Sequence, residues 1–107
     1  VNTEEFENWV SIHNIIERTK KGFWNYMENY KQEEPDEFSE VFGNVDMNFL
    51  ETNISKISLT INYTFDEPIK FVSAFIDVEY EGEELGVYQC LFSLDGDDLD
   101  DYLTQLS

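Results

Sequence analysis

The chain is poor in several residue types, and each shortage removes a class of protein. Cys90 is the only cysteine among 107 residues, so no intrachain disulfide can form and a reducing compartment is expected. Its setting inside an apolar run marks it as a core residue rather than a reactive thiol. His13 is the only histidine, and together with Cys90 it supplies one borderline metal ligand of each kind where a zinc site takes several. The five glycines, at 22, 43, 82, 86 and 96, never take the spacing of a phosphate-binding loop. No segment approaches the ~20 apolar residues of a membrane-spanning helix. The opening VNTEEFENW has neither a basic leader nor the apolar stretch of a signal peptide. The expectation from these shortages is a cytoplasmic protein that uses no metal and no cofactor.

Basic side chains are the scarcest of all relative to their counterparts. Six Lys and Arg face 24 Asp and Glu, a formal net charge of −18. Such a surface repels DNA, RNA and anionic membranes, because the phosphate term that dominates nucleic-acid affinity has the wrong sign. The imbalance grows along the chain, since residues 71 to 107 hold ten acids and no base. A partner that carries positive charge is the complementary expectation.

Apolar and aromatic side chains are plentiful. Hydrophobic residues make up 41% of the sequence, with nine Phe, six Tyr and two Trp, which is enough for one core in one domain spanning residues 1–107. Residues 3 to 33 repeat apolar side chains every three or four positions, predicting one long helix or two in tandem, with Thr3 as cap and a kink at Gly22. Pro35 ends that element and opens a short second helix, PDEFSEVF. From Val45 the period shifts toward two. VDMNFLE is read as a first strand, ISKISLTINYTF (54 to 65) as the clearest alternating strand, and IKFVSAFIDVEY (69 to 80) as the next. Glu81 to Glu84 then form a hairpin connection into LGVYQCLFSL. A closing helix is expected from Asp98 to Leu106, capped by Asp97, because Leu99, Tyr102, Leu103 and Leu106 fall on one helical stripe. The fold class is therefore α+β: a long N-terminal helix packed on a three- or four-stranded antiparallel sheet, with a short C-terminal helix.

The densest chemical signal is LDGDDLDDYL, where Asp95, Asp97, Asp98, Asp100 and Asp101 crowd seven positions. Counted from Asp95, an EF-hand loop would need a glycine at position 6 and a glutamate at position 12, and the chain has Asp100 and Leu106 there. Capping explains one or two of the five aspartates. The remainder, with Glu79, Glu81, Glu83 and Glu84 at the hairpin, is assigned to a basic protein partner, in the manner of an inhibitor, an immunity protein or a mimic of nucleic acid.

Catalysis is not expected. His13 has no neighbouring nucleophile that sequence alone can name, and 24 acids make chance carboxylate pairs inevitable. The sequons Asn53-Ile54-Ser55 and Asn62-Tyr63-Thr64 are read as idle. Two rival readings remain. A homodimer could use the helical aromatics Trp9, Trp24 and Tyr26 as its seam, with acids serving solubility alone. Alternatively, a small ligand could occupy a pocket between helix and sheet.

Overall fold

The computed structural model describes residues 1–106. Its elements run α1 (Glu4–Ile12), α2 (Ile15–Glu33), α3 (Pro35–Phe42), a single 3-10 turn (Met47–Phe49), then β1 (Glu51–Asn62), β2 (Ile69–Tyr80), β3 (Glu83–Phe92) and β4 (Asp98–Gln105). The four strands form an antiparallel meander in the order β1-β2-β3-β4. The fold is thus α+β, with helices packed on one face of the sheet.

Alternation in β2 and β3 makes that face. Val72, Ala74, Ile76 and Val78 from β2 meet Tyr88, Cys90 and Phe92 from β3, and Ile15, Phe23 and Met27 of α2 close over them. These side chains are buried together with Phe42 and Leu50. At about 25 cal/mol per Å² of apolar area removed from water, this layer is the main source of stability.

The first element is two helices in tandem, but the break is not at Gly22. The chain turns at Asn14, whose φ of 55° lies in the left-handed region that Asn tolerates better than most residues. Helix α2 then runs unbroken through Gly22. A Cβ at position 22 would lie 2.8 Å from Tyr88 Oη and 3.4 Å from Cys90 Sγ. The glycine is therefore a point of close approach between helix and sheet. Thr3 makes no side-chain cap, and Asn2 Oδ1 accepts the Glu4 N–H at 2.8 Å instead.

Of the strand expected over 45 to 51, only Glu51 is in a strand, the first residue of β1. Asp46 accepts the Asn48 N–H at 3.0 Å and donates its own N–H to Tyr80 Oη at 3.2 Å, which winds Met47–Phe49 into a 3-10 turn. Leu50, the residue that interrupts the alternation, is the one delivered to the core. Strand β1 starts at Glu51 and stops at Asn62, so Tyr63 and Phe65 lie beyond it. Its register jumps from Ile54↔Ile76 to Lys56↔Phe75, a bulge at Ser55 that keeps both Ile54 and Ile57 on the helix side.

The β2–β3 connection is tighter than the four residues expected. Glu81 (φ 52°) and Gly82 (φ 82°) alone span it, both left-handed as a two-residue type I′ turn requires.

The C-terminal helix is absent, and residues Asp98–Gln105 form β4. Asp97 consequently caps nothing. Its carbonyl accepts the Ser93 N–H at 2.9 Å, and Gly96, at φ 89°, turns the chain back beside β3. The helical stripe Leu99, Tyr102, Leu103 was a coincidence of spacing that strand pairing overrides. In β4 it is Asp101, Leu103 and Gln105 that share the helix-facing side, opposite Cys90, Tyr88 and Gly86.

The molecule is elongated, 44 × 29 × 22 Å with a Cα radius of gyration of 15.5 Å, against about 13 Å for a compact chain of this length.

Replacing Gly22 by Ala sets a helix-propensity gain of about 1 kcal/mol against overpacking that typically costs about 1–3 kcal/mol. Net destabilisation is expected, read in urea unfolding as a lower midpoint at constant slope. A higher midpoint would mean that α2 lifts off Tyr88 at no cost.

Candidate functional site

The carboxylates separate into two poles. Glu83 pairs with Tyr80 and Glu84 with Glu79 at one end of β3, while Phe92 at the other end pairs with Asp98. Ten residues of strand, about 30 Å, lie between the hairpin cluster and the aspartate cluster. The nine residues singled out from sequence are not brought together.

The aspartate pole is largely occupied by the protein itself. Asp98 Oδ1 receives the Arg18 guanidinium at 2.8 Å, the one ion pair among the described residues. Arg18 also donates to the His13 carbonyl at 3.0 Å and lies 4.9 Å from the centre of the Phe92 ring. Asp100 accepts the Asp101 N–H at 2.8 Å and the Tyr102 hydroxyl at 2.9 Å. Asp101 Oδ2 accepts the Tyr88 hydroxyl at 2.6 Å. Only Asp95 and Asp97 keep carboxylates without a hydrogen bond among the described residues. No three His, Cys, Asp or Glu side chains among those residues gather closely enough to hold a metal ion.

The hairpin pole is different. Glu51 pairs with Glu79, and Glu79 with Glu84, a row of three carboxylate residues across three strands. Like charges placed opposite one another are destabilising. The same end takes in part of the α2–α3 corner: Tyr30 stacks edge-on against Phe38 and Phe42 and lies near Glu37 and Gln105, while Asp46 is bonded to Tyr80. Glu37 and Asp46 thereby join Glu51, Glu79, Glu81, Glu83 and Glu84, whereas Glu33 and Glu34 line a groove that also reaches Asp98 and Asp101. No ion pair among the described residues involves any of these acids. Beside them Phe49 is 69% exposed, with Val41 and Leu106 also open to solvent. This Glu51-to-α3 extension was invisible in sequence, because it depends on strand register and on where α3 docks.

A groove of about 950 Å³ lies between α2 and β4, with Lys21, Asn25, Asn29 and Tyr26 on one wall and Asp98 and Asp101 on the other. At its floor Cys90 Sγ donates to Tyr88 Oη at 3.2 Å, and Tyr88 in turn donates to Asp101. Burial first, then the bond to Asp101, drives the Tyr88 phenol far above its ordinary value of 10.0. Burial likewise raises the Cys90 thiol. Both groups stay protonated at neutral pH, so neither provides a ready base or nucleophile. Tyr30 Oη is shut off from solvent without a hydrogen-bond partner, and its phenol is raised chiefly by burial.

The His13 ring lies 4.7 Å from that of Trp9 and presses against Gly96, where a Cβ would collide with it. The Trp9 indole donates to the Leu94 carbonyl at 2.9 Å, and Tyr26 packs on Tyr88. Of the three helical aromatics proposed as a seam, Trp9 and Tyr26 are half-buried and Trp24 is 39% exposed.

No helix of the described residues is long and apolar enough to cross a membrane. No family model, curated protein or solved structure matches the chain.

The Tyr88 phenol has a pH signature. The folded protein holds this proton to higher pH than the unfolded chain, whose tyrosines ionise near 10.0. Above that pH the unfolded state binds fewer protons than the native state, so stability is complete below about pH 10 and falls as pH rises. Thermal midpoints measured from about pH 8 to 11 are expected to decline less steeply in Tyr88→Phe than in the wild type, with Tyr30 and Cys90 supplying the residual slope. Equal slopes would remove the phenol from the alkaline response.

Proposed function

We propose that this protein binds the basic surface of another protein, as an inhibitor, an immunity protein or a mimic of nucleic acid does. The observation that carries the reading is the hairpin pole: seven carboxylates at one end of the sheet, in no ion pair among the described residues, beside the exposed ring of Phe49. Self-repulsion within Glu51, Glu79 and Glu84 is relieved when Lys or Arg side chains approach. Such a charge concentration steers diffusional encounter and speeds association. Phe49 supplies desolvated apolar contact, which charge alone does not.

Of the residues first assigned to the partner, Glu79, Glu81, Glu83 and Glu84 take the leading role. Asp98, Asp100 and Asp101 are already hydrogen-bonded internally, so they contribute mainly field. The reading is non-enzymatic, and it needs neither metal nor cofactor.

Affinity capture at low and physiological salt, followed by identification of the retained proteins, tests this reading. A basic protein is expected to be retained more strongly at low salt. Changing Glu79, Glu81, Glu83 and Glu84 together to Gln is expected to slow its association roughly 10-fold or more, while Asp98→Asn, Asp100→Asn and Asp101→Asn combined act less on rate and more on stability. Retention of no basic protein, or unchanged rates in the glutamine variant, overturns the proposal.

A further inference from the structure

The two edges of the sheet are finished in opposite ways. Edge strand β4 is guarded: Asp98 and Asp100 are exposed along it, Asp101 points inward, and the Asp100 carboxylate already holds the Asp101 N–H. Inward and lateral charge of this kind is how proteins keep a free edge from pairing. Edge strand β1 has no such guard. From residue 52 to residue 65 the only charged side chain is Lys56, and its ammonium lies back over its own sheet, 4.4 Å from the centre of the Phe75 ring.

Apolar surface accompanies this open edge. Leu59 is 52% exposed and Ile61 44%. On the helix side of β1, an apolar groove of about 640 Å³ runs between α1 and the strand, lined by Phe6, Val10, Ile15, Ile16 and Ile57. An uncovered groove beside an unguarded edge is a liability in a monomer.

We infer that β1 pairs antiparallel with β1 of a second copy of this chain, joining two sheets into one of eight strands. The register follows from the strand itself. The bulge at Ser55 leaves 56–62 as the regular part of the edge, and its midpoint is Leu59. A two-fold axis there sets Leu59 against Leu59 of the second copy and Ile57 against its Ile61. On the other face Ser58 meets Thr60, and Lys56 meets Asn62. Apolar faces apolar, polar faces polar, and no like charges oppose each other. Ile61 of the second copy then sits next to Ile57, at the mouth of the groove lined by Phe6 and Val10.

The self-complementary register selects this occupant, and charge selects this edge for it. A copy carrying −18 is repelled by either acidic pole, and β1 is the one strand whose charges, Glu51 and Lys56, cancel. A cationic partner finds no carboxylate to attract it along 52–65. The pairing is independent of the proposed capture of a basic protein, and its salt dependence has the opposite sign: screening relieves the mutual repulsion of two acidic copies, whereas it weakens attachment of a cation-rich protein.

Sedimentation equilibrium of the full chain at low salt and at about 0.5 M NaCl is the test. A monomer–dimer equilibrium that tightens with salt is expected. Ile61→Thr, checked for native circular dichroism, is expected to weaken it about 100-fold, because the contact is buried twice per dimer. Leu59→Cys is expected to form a disulfide-linked dimer under mild oxidation. Asn48→Cys, in the 3-10 turn ahead of β1 and away from the axis, is expected to stay unlinked, and Cys90 is buried. A wild-type chain that stays monomeric at ~100 µM in both salts overturns the inference. So does a dimer that survives Ile61→Thr unchanged, or a Leu59→Cys protein that links no better than Asn48→Cys. A missing basic partner would leave this result untouched, and a monomeric chain would leave the partner-capture reading standing.

Discussion

The architecture depends on the seat of Tyr88. Its ring is wholly buried, flanked edge-on by Phe23 at 5.5 Å and Tyr26 at 5.8 Å. Its hydroxyl would be an expensive group to bury alone, and the carboxylate of Asp101 takes the proton's side of it while the Cys90 thiol takes the other. One aromatic residue thus ties α2, β3 and β4 together. That arrangement requires bare backbone where the helix crosses, which is why position 22 is glycine. It also requires the C-terminal segment to be a strand, since only pairing with β3 brings Asp101 opposite Cys90 and within reach of the Tyr88 hydroxyl.

Net charge acts on this core from outside. With one ion pair among the described residues, most of the acidic excess is unneutralised, and the self-repulsion must be carried by apolar burial. The acids are nevertheless not equivalent. Those near Asp98 are tied into the local structure by Arg18, Tyr102 and Tyr88, whereas the glutamates around Glu81 form no ion pair among the described residues. A stretch of sequence with five aspartates therefore does mostly structural duty, while the less conspicuous hairpin is the freer electrostatic surface.

How legible this was from sequence differs by element. The alternation of β2 and β3 read correctly because both strands have a wholly apolar helix-facing set. Gly82 marked the hairpin, although the connection was read two residues too long, since Glu81 gave no sign that it would accept a left-handed conformation. Residues 98 to 106 misled because four apolar residues at helical spacing can equally belong to a strand, one whose helix-facing positions are Asp101, Leu103 and Gln105; the Asp95-Gly96 pair was the overlooked turn signal. At the candidate site, charge was plain from composition. Which carboxylates were already engaged was not, because Arg18 and Asp98 are 80 positions apart, and no local pattern announces such a pair.

The left-handed residue at Asn14 has its own consequence. Helix α1 buries no residue completely and is anchored by half-covered Phe6, Trp9 and Val10 and by one indole bond to the loop at Leu94. It hangs from α2 by a single pivot rather than by a continuous run of helical bonds. A local opening that swings this N-terminal helix about Asn14 would bare the back of β1 while the Tyr88 core stays closed.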